Sequence, residues 1–212
     1  MAETAVPATA HEKNLSLRTS PAGQLKAAFE TGSVQGVVEL REVAFLTMAG
    51  VRVDRDSEAG RRVASVVGGL PAACGDVAGV GETSVLWLGP QEFLVIAPAE
   101  AHEALGGDLI LALTEALADG QGQVVDLSAN RTTFELTGPK ARGVLEKGNS
   151  LDLHPRAFTA GTAVSTEVGN IPVVLWKTGE DSFRLFPRAS FAEFLGRWLL
   201  DSMREYASPE VP

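Results

Sequence analysis

The sequence predicts an α+β protein made of two similar sandwich-like units, each an antiparallel sheet with packed helices. Three observations predict it. Residues 84–98 (SVLWLGPQEFLVIAP) and 173–187 (VVLWKTGEDSFRLFP) repeat one pattern at an offset of 89 residues, from Trp87 to Trp176 and from Pro98 to Pro187. Each copy reads strand, tight turn, strand, Pro and then a helical stretch, and FLTMAG (45–50) lies near FELTG (134–138) in the same spirit. Short strands alternate with helices and hairpins, without the long buried apolar strands of parallel βαβ crossovers.

The elements follow in order. Residues 1–22, small, polar and Pro-bearing, are expected to form a mobile or partner-bound arm. The first unit is placed at 23–120, the second at 121–207, with discontinuous boundaries left open, and a short tail at 208–212. Residues 37–48 (VVELREVAFLTM) read as one or two strands. Residues 56–67 read as a helix, with Ala59, Val63, Val66 and Val67 on one face, stopped by Gly68–Gly69. The Gly- and Ala-rich stretch 70–82 reads as a loop. Residues 84–88 and 93–97 form a hairpin. Residues 99–118 read as a helix broken at Gly106–Gly107, and Gly120 and Gly122 mark the boundary between halves.

In the second half, 123–128 and 132–137 read as strands. Pro139 fits a first helical position, Ala141, Val144 and Leu145 supply a packing face, and Gly148 lies just past the helix end. Strands are expected near 162–168, 171–177 and 182–187. The last helix opens with a candidate capping box, Ser190 to Glu193. Its stripe Phe191, Phe194, Leu195, Trp198, Leu199 is the strongest helical periodicity in the chain. A fully buried Trp198 would make Trp198→Ala cost ~3–5 kcal/mol.

Composition excludes several function classes. A 45% apolar share with 21% charged residues suits a folded globular chain, and a net charge of −9 argues against unaided nucleic-acid binding. One cysteine, Cys74, rules out an internal disulfide and a Cys-rich zinc site; it fits a reducing cytoplasm. The N-terminus lacks the basic start and apolar core of a secretory signal, and no apolar run is long enough to span a membrane.

Candidate chemistry is sparse. Asp126, at the end of VVDLSANRT, could position a ligand, but a strand-end Asp that satisfies backbone amides is the preferred reading. Asp152 and His154 invite an acid–base pairing. With no nucleophile nearby and Pro155 holding His154 extended, a docking loop is preferred. Cys74 has no positive neighbour to activate it and is expected to be a small buried or half-buried residue. His11 and His102 lack metal-site spacing. The glycines form neither GxGxxG nor a phosphate loop. The reading therefore assigns no catalytic, cofactor-binding or metal-binding residue to this chain.

VDLSANRTTFELTGPKARGVLEKG (125–148) resembles the opening of the folate-binding domain of glycine-cleavage T-proteins, and 161–188 resembles a later segment of it. EKGNSLDLHPRAFTAG (146–161) with VLWKTGEDSFRLFPRASFAEFLGRWLLDSM (174–203) is similar to the gamma-subunit family of heterotetrameric sarcosine oxidases. That resemblance implies an assembly of four different chains, alpha to delta, with this type of chain held chiefly by alpha. The assembly demethylates sarcosine oxidatively to glycine and hydrogen peroxide, and with tetrahydrofolate gives 5,10-methylenetetrahydrofolate. It implies FAD, FMN, NAD and zinc on the other subunits and none here. T-proteins place an acidic residue just before the strand matching Val173–Trp176. Here that segment is Gly169–Asn170–Ile171–Pro172, with no carboxylate, so folate chemistry by this chain alone is not expected. Leu151, Asp152, His154, Pro155, Arg156 and Phe158 are the interface candidates. Two alternatives stand beside this one: a free-standing folate-binding T-protein-like chain, and an interaction module outside one-carbon metabolism.

Overall fold

The computed structural model describes residues 18–207, and residues 1–17, including most of the expected arm and His11, lie outside it, as does 208–212. The remaining arm residues are docked. Ser20 Oγ donates to Glu42 Oε2 at 2.6 Å, the Ala22 amide donates to Glu42 Oε1 at 3.1 Å, and Ala22 is fully buried.

Helix α1 (Lys26–Gly32) and strand β1 (Glu39–Glu42) precede β2 (Thr47–Val53) and α2 (Glu58–Val67). Strands β3 (Val77–Val80), β4 (Thr83–Gly89) and β5 (Glu92–Ala97) follow, then α3 (Leu109–Leu117). The second half repeats the order: β6 (Gly122–Asp126), β7 (Phe134–Thr137), α4 (Ala141–Glu146), β8 (Ala163–Val168), β9 (Ile171–Gly179), β10 (Ser182–Pro187), α5 (Ala192–Ala207). After α1, each half is thus strand, strand, helix, three strands, helix.

The sheets do not divide the chain at 120/121. One sheet runs β3-β4-β5-β2-β6 and the other β8-β9-β10-β7-β1, antiparallel at every pairing. The first strand of each half has crossed to complete the other half's sheet. β1 pairs β7 from Glu39–Thr137 to Glu42–Phe134, and β6 pairs β2 from Ala49–Asp126 to Val53–Gly122. Both units are therefore discontinuous in sequence.

Alternation along the strands sorts the core into three layers. Phe134, Leu136, Phe183, Leu185 and Leu175 face α1, α4 and α5. Val51, Val85, Phe93 and Val95 face α2 and α3. Met48, Leu86, Leu94 and Ile96 of one sheet meet Val174, Phe186 and Ala163 of the other. The result is a helix–sheet–sheet–helix stack.

The repeat is real, but its register is 90 residues rather than 89. Phe93 and Phe183, Val85 and Leu175, and Gly89 and Gly179 occupy matching places. Both hairpins carry an extra residue in the first strand, Leu88 and Thr178 respectively. Matching the two tryptophans slips the alignment by one, which sends every side chain to the wrong face of its sheet. In the true register Trp87 corresponds to Lys177.

Several local expectations are corrected. The stretch 70–82 contains edge strand β3, with Gly79 at φ +146° where a Cβ would meet the Thr83 carbonyl oxygen. Residues 99–107 form two 3-10 turns (Ala99–Ala101, Glu103–Leu105), and the α-helix starts only at Leu109. Ser190 lies inside a 3-10 turn, and Glu193 pairs with Arg197 at 2.8 Å, so no capping box forms. The α2 stop holds, Gly68 ending the helix at φ +81°, and Ser57 Oγ caps its start by accepting from the Gly60 amide at 2.9 Å. Cys74 is exposed; Pro71, three residues earlier, is the buried contact of that loop.

Candidate docking surface

The Asp126–Leu127–Ser128 motif sits where the exchanged strand leaves its sheet. Asp126 Oδ1 accepts from the Ser128 amide at 2.9 Å. Ser128 Oγ accepts from the Met48 amide at 3.0 Å, and the Leu127 amide donates to the Met48 carbonyl at 2.8 Å. Leu127 itself packs into the layer between the sheets. The other crossover is tied to the same place. Thr132 Oγ1 donates to Glu42 Oε1 at 2.5 Å and the Val43 amide donates to the Thr133 carbonyl at 2.8 Å. The motif thus works as a latch between the two crossing segments.

Asp126 Oδ2 also meets His102 Nε2 at 2.9 Å, while His102 Nδ1 accepts from the Ala104 amide at 3.1 Å. An accepting Nδ1 places the neutral ring's proton on Nε2, so that the imidazole donates to the carboxylate. Partial burial opposes ionisation of Asp126, but the Ser128 hydrogen bonds and His102 outweigh it and hold the carboxyl below its ordinary range. Oδ1 holds backbone, the role expected from sequence, and Oδ2 holds the His102 ring. His102, taken as isolated there, is the partner that sequence reading missed; 24 residues of chain separate the pair.

Asp152 and His154 do not form an acid–base pair. Asp152 Oδ1 accepts from the His154 amide at 2.9 Å, and His154 Nδ1 accepts from the Arg156 amide at 3.2 Å. These are successive side-chain-capped turns. They raise Asp152, His154, Pro155 and Arg156 to an exposed tip, with Leu151 half-buried beside them. Phe158 is a correction to the six interface candidates. It is buried, as is Leu153, and both belong to the helix-side core, so they anchor the loop and present no contact surface.

Lys177 fixes that anchor. It is 2% exposed, and its Nζ donates to the Phe158 carbonyl at 3.0 Å and lies 5.7 Å from the Phe183 ring centre. Its main chain binds the same loop, donating to Thr162 and accepting from Gly161. A Lys closing an apolar run (VVLWK) was the available signal.

The segment lacking the acidic residue is a tight turn. Gly169 and Asn170 both have left-handed φ, +58° and +65°, as a type I′ hairpin requires. Among the described residues no three His, Cys, Asp or Glu side chains gather in a metal-holding group, and no helix is long and apolar enough to cross a membrane.

The final helix breaks its own stripe. Leu195 and Leu199 are fully buried and Trp198 is half-buried, but Phe191 is 38% and Phe194 55% exposed. Two large aromatic side chains on one solvent-facing stretch suit contact with another protein.

Comparison with known proteins gives the family. Residues 56–205 match the sarcosine oxidase, gamma subunit family. The chain belongs to that family. It is 50% identical over 201 residues to the sarcosine oxidase subunit gamma of Corynebacterium sp. strain P-1, spanning 94% of this chain and 96% of that one. It is 49% identical, with the same coverage, to that of an Arthrobacter species. A chain of the heterotetrameric sarcosine oxidase from Corynebacterium sp. U-96 superposes with TM-score 0.86 at 48% identity, over 92% of this chain and all of that one. The glycine cleavage aminomethyltransferase T of Bartonella henselae shares the fold, with TM-score 0.65 at 17% identity over 88% of this chain and 58% of that one. The gamma family thus carries the T-protein fold.

Proposed function

We propose that this chain is the non-catalytic gamma subunit of a heterotetrameric sarcosine oxidase, supporting sister chains that carry the chemistry. The observation that supports it most is likeness along the whole length: half the residues are identical to a gamma subunit over 94% of the chain. The geometry agrees. Asp126, His102, Asp152 and His154, the groups with chemical potential, each hold backbone or one another. In this reading FAD, FMN, NAD, zinc and the tetrahydrofolate site belong to the alpha, beta and delta chains, with alpha the most direct contact, and the assembly works in the cytoplasm. The loop tip of Asp152, His154, Pro155 and Arg156, flanked by Leu151, is a contact surface with its shape set in advance, which lowers the ordering cost of binding.

Co-expression with the other three chains tests it. The expected result is a stoichiometric flavin-containing complex that makes peroxide from sarcosine. A chain that stays monomeric beside its co-expressed sisters refutes the reading, as does one that binds tetrahydrofolate tightly or converts a one-carbon donor alone.

A further inference from the structure

The connector between β6 and β7 carries Arg131 up against Arg188, the residue between β10 and the turn that opens α5. Their backbones form an isolated antiparallel bridge. Arg131 is half-buried. One guanidinium N–H reaches the Phe186 carbonyl at 2.8 Å, and the buried Nε has no partner. Burial first, and then the Arg188 charge, push Arg131 down from its ordinary range, with Glu92 opposing them. Arg188 is exposed and, among the described residues, has no carboxylate in ion-pair contact.

Two like charges side by side, one with an unsatisfied donor, are unfavourable in the isolated chain. They stand out in a molecule of net charge −9. The exposed pair Phe191 and Phe194 begins three residues after Arg188, one helical turn apart on the same side. Glu92, whose charge acts on Arg131, borders a shallow hollow of about 180 Å³ with Gly50, Arg52, Val125 and Leu127, and Val125 is 39% exposed. Basic and apolar groups therefore meet at the seam where the two sheets exchange strands.

We propose that this seam is a docking surface for a sister chain that presents a carboxylate to Arg131 and Arg188 and an apolar recess to Phe191 and Phe194. Arginine and aromatic side chains are the types that dominate binding energy at protein interfaces. A carboxylate placed against the two guanidiniums offsets their mutual repulsion. This inference rests on the subunit reading and adds to it the place and chemistry of one contact, separate from the 152–156 loop tip.

The test uses the full chain co-expressed with its three sister chains, comparing Arg188→Glu and Phe194→Ser with the unaltered protein. Phe194→Ser alone should keep the unaltered chain's urea midpoint, and Arg188→Glu alone, which relieves the repulsion with Arg131, should not lower it. Each should lower the amount retained by a tagged sister chain at least tenfold. Added salt should weaken retention of the unaltered chain and of Phe194→Ser, but not of Arg188→Glu. Unchanged retention of both variants overturns this inference and leaves the subunit reading intact. A dimer of the isolated chain that the same substitutions dissolve also overturns it, since a second copy would then be the occupant. Failure of the unaltered chain to join any sister defeats the subunit reading and this inference together.

Discussion

Trp198 and Gly148 offer a direct test of the packing that holds α5 to the second sheet. The indole lies over two glycines whose backbones are joined, the Gly169 amide donating to the Gly148 carbonyl at 3.0 Å. A methyl built on Gly148 would fall 2.4 Å from Trp198 Cζ2 and 2.8 Å from Cη2. Gly148 does not sit at positive φ, so Gly148→Ala carries no left-handed penalty and its cost is steric. Overpacking of this kind costs about 1–3 kcal/mol. Trp198→Ala removes the ring; because the indole is only half-buried, about 2–4 kcal/mol is expected, below the figure for full burial. In the double variant the added methyl enters the space the ring has left. The Gly148→Ala cost should then fall, though the Gly169 amide nitrogen stays 3.0 Å from the methyl, giving a coupling of at least about 1 kcal/mol between the sites. Urea unfolding of the four proteins at pH 7 measures it. Additivity within about 0.5 kcal/mol would show that the ring does not rest on Gly148, and the reasoning would fail.

Two further expectations concern charge. Glu135 is hydrogen-bonded to both Arg41 and Arg184 across neighbouring strands, the Arg184 contact at 3.0 Å. Burial alone would raise its pKa, but the two arginines outweigh that and hold it below the ordinary carboxylate range. A folded pKa below the unfolded one gives stability that is complete above the unfolded value and is lost as pH falls through the folded one. Glu135→Gln should cost about 1–2 kcal/mol at pH 7, kept small by the largely solvated Arg41, and should flatten the acid side of the stability profile measured by urea titration; an unchanged acid slope would contradict the assignment. Lys177→Met keeps the volume but takes the donor from the Phe158 carbonyl. Amide exchange should quicken about tenfold within 151–162, while global stability moves by less than about 1.5 kcal/mol, since removal of a buried charge offsets the lost hydrogen bond. Uniformly faster exchange across the chain would mean that Lys177 supports the core and not the loop.

The parts legible in the sequence were those set by neighbours along the chain. The hairpins at 83–97 and 171–187, the Ser57-to-Gly68 helix and the Ala141–Leu145 packing face depend on turn chemistry and on periodicity, which a single segment carries. β3 was missed because VAGV is short, contains a glycine and lies at an edge. The stripe on α5 showed which residues share a face, but not how much of that face meets protein. Phe191 and Phe194 therefore had to be seen in place. The slip from 90 to 89 in the repeat arose because two tryptophans catch the eye, although they point to opposite sides of their sheets. Asp126 was read correctly as a backbone-holding residue; its partner His102 was not, because that contact is made only when α3 and β6 return the chain to the same end of the sheet.

Strand exchange binds the two halves of this T-protein fold into one unit. Pairing of β1 with β7 and of β6 with β2 is non-local and leaves no trace in either strand's own sequence. Yet it makes each sheet's end strand the property of the opposite half, so that neither half can complete its core alone. The Asp126–Leu127–Ser128 latch and the Glu42–Thr132 contact stand at the two crossings. They hold the sheets in one relation, and with them the 152–156 tip and the Arg131–Arg188 seam. On the proposed reading, contact surfaces kept at a fixed spacing lower the ordering cost of binding. Asp126 and Ser128 serve that geometry here by holding backbone, and residues 169–170 form a Gly-Asn turn with no carboxylate.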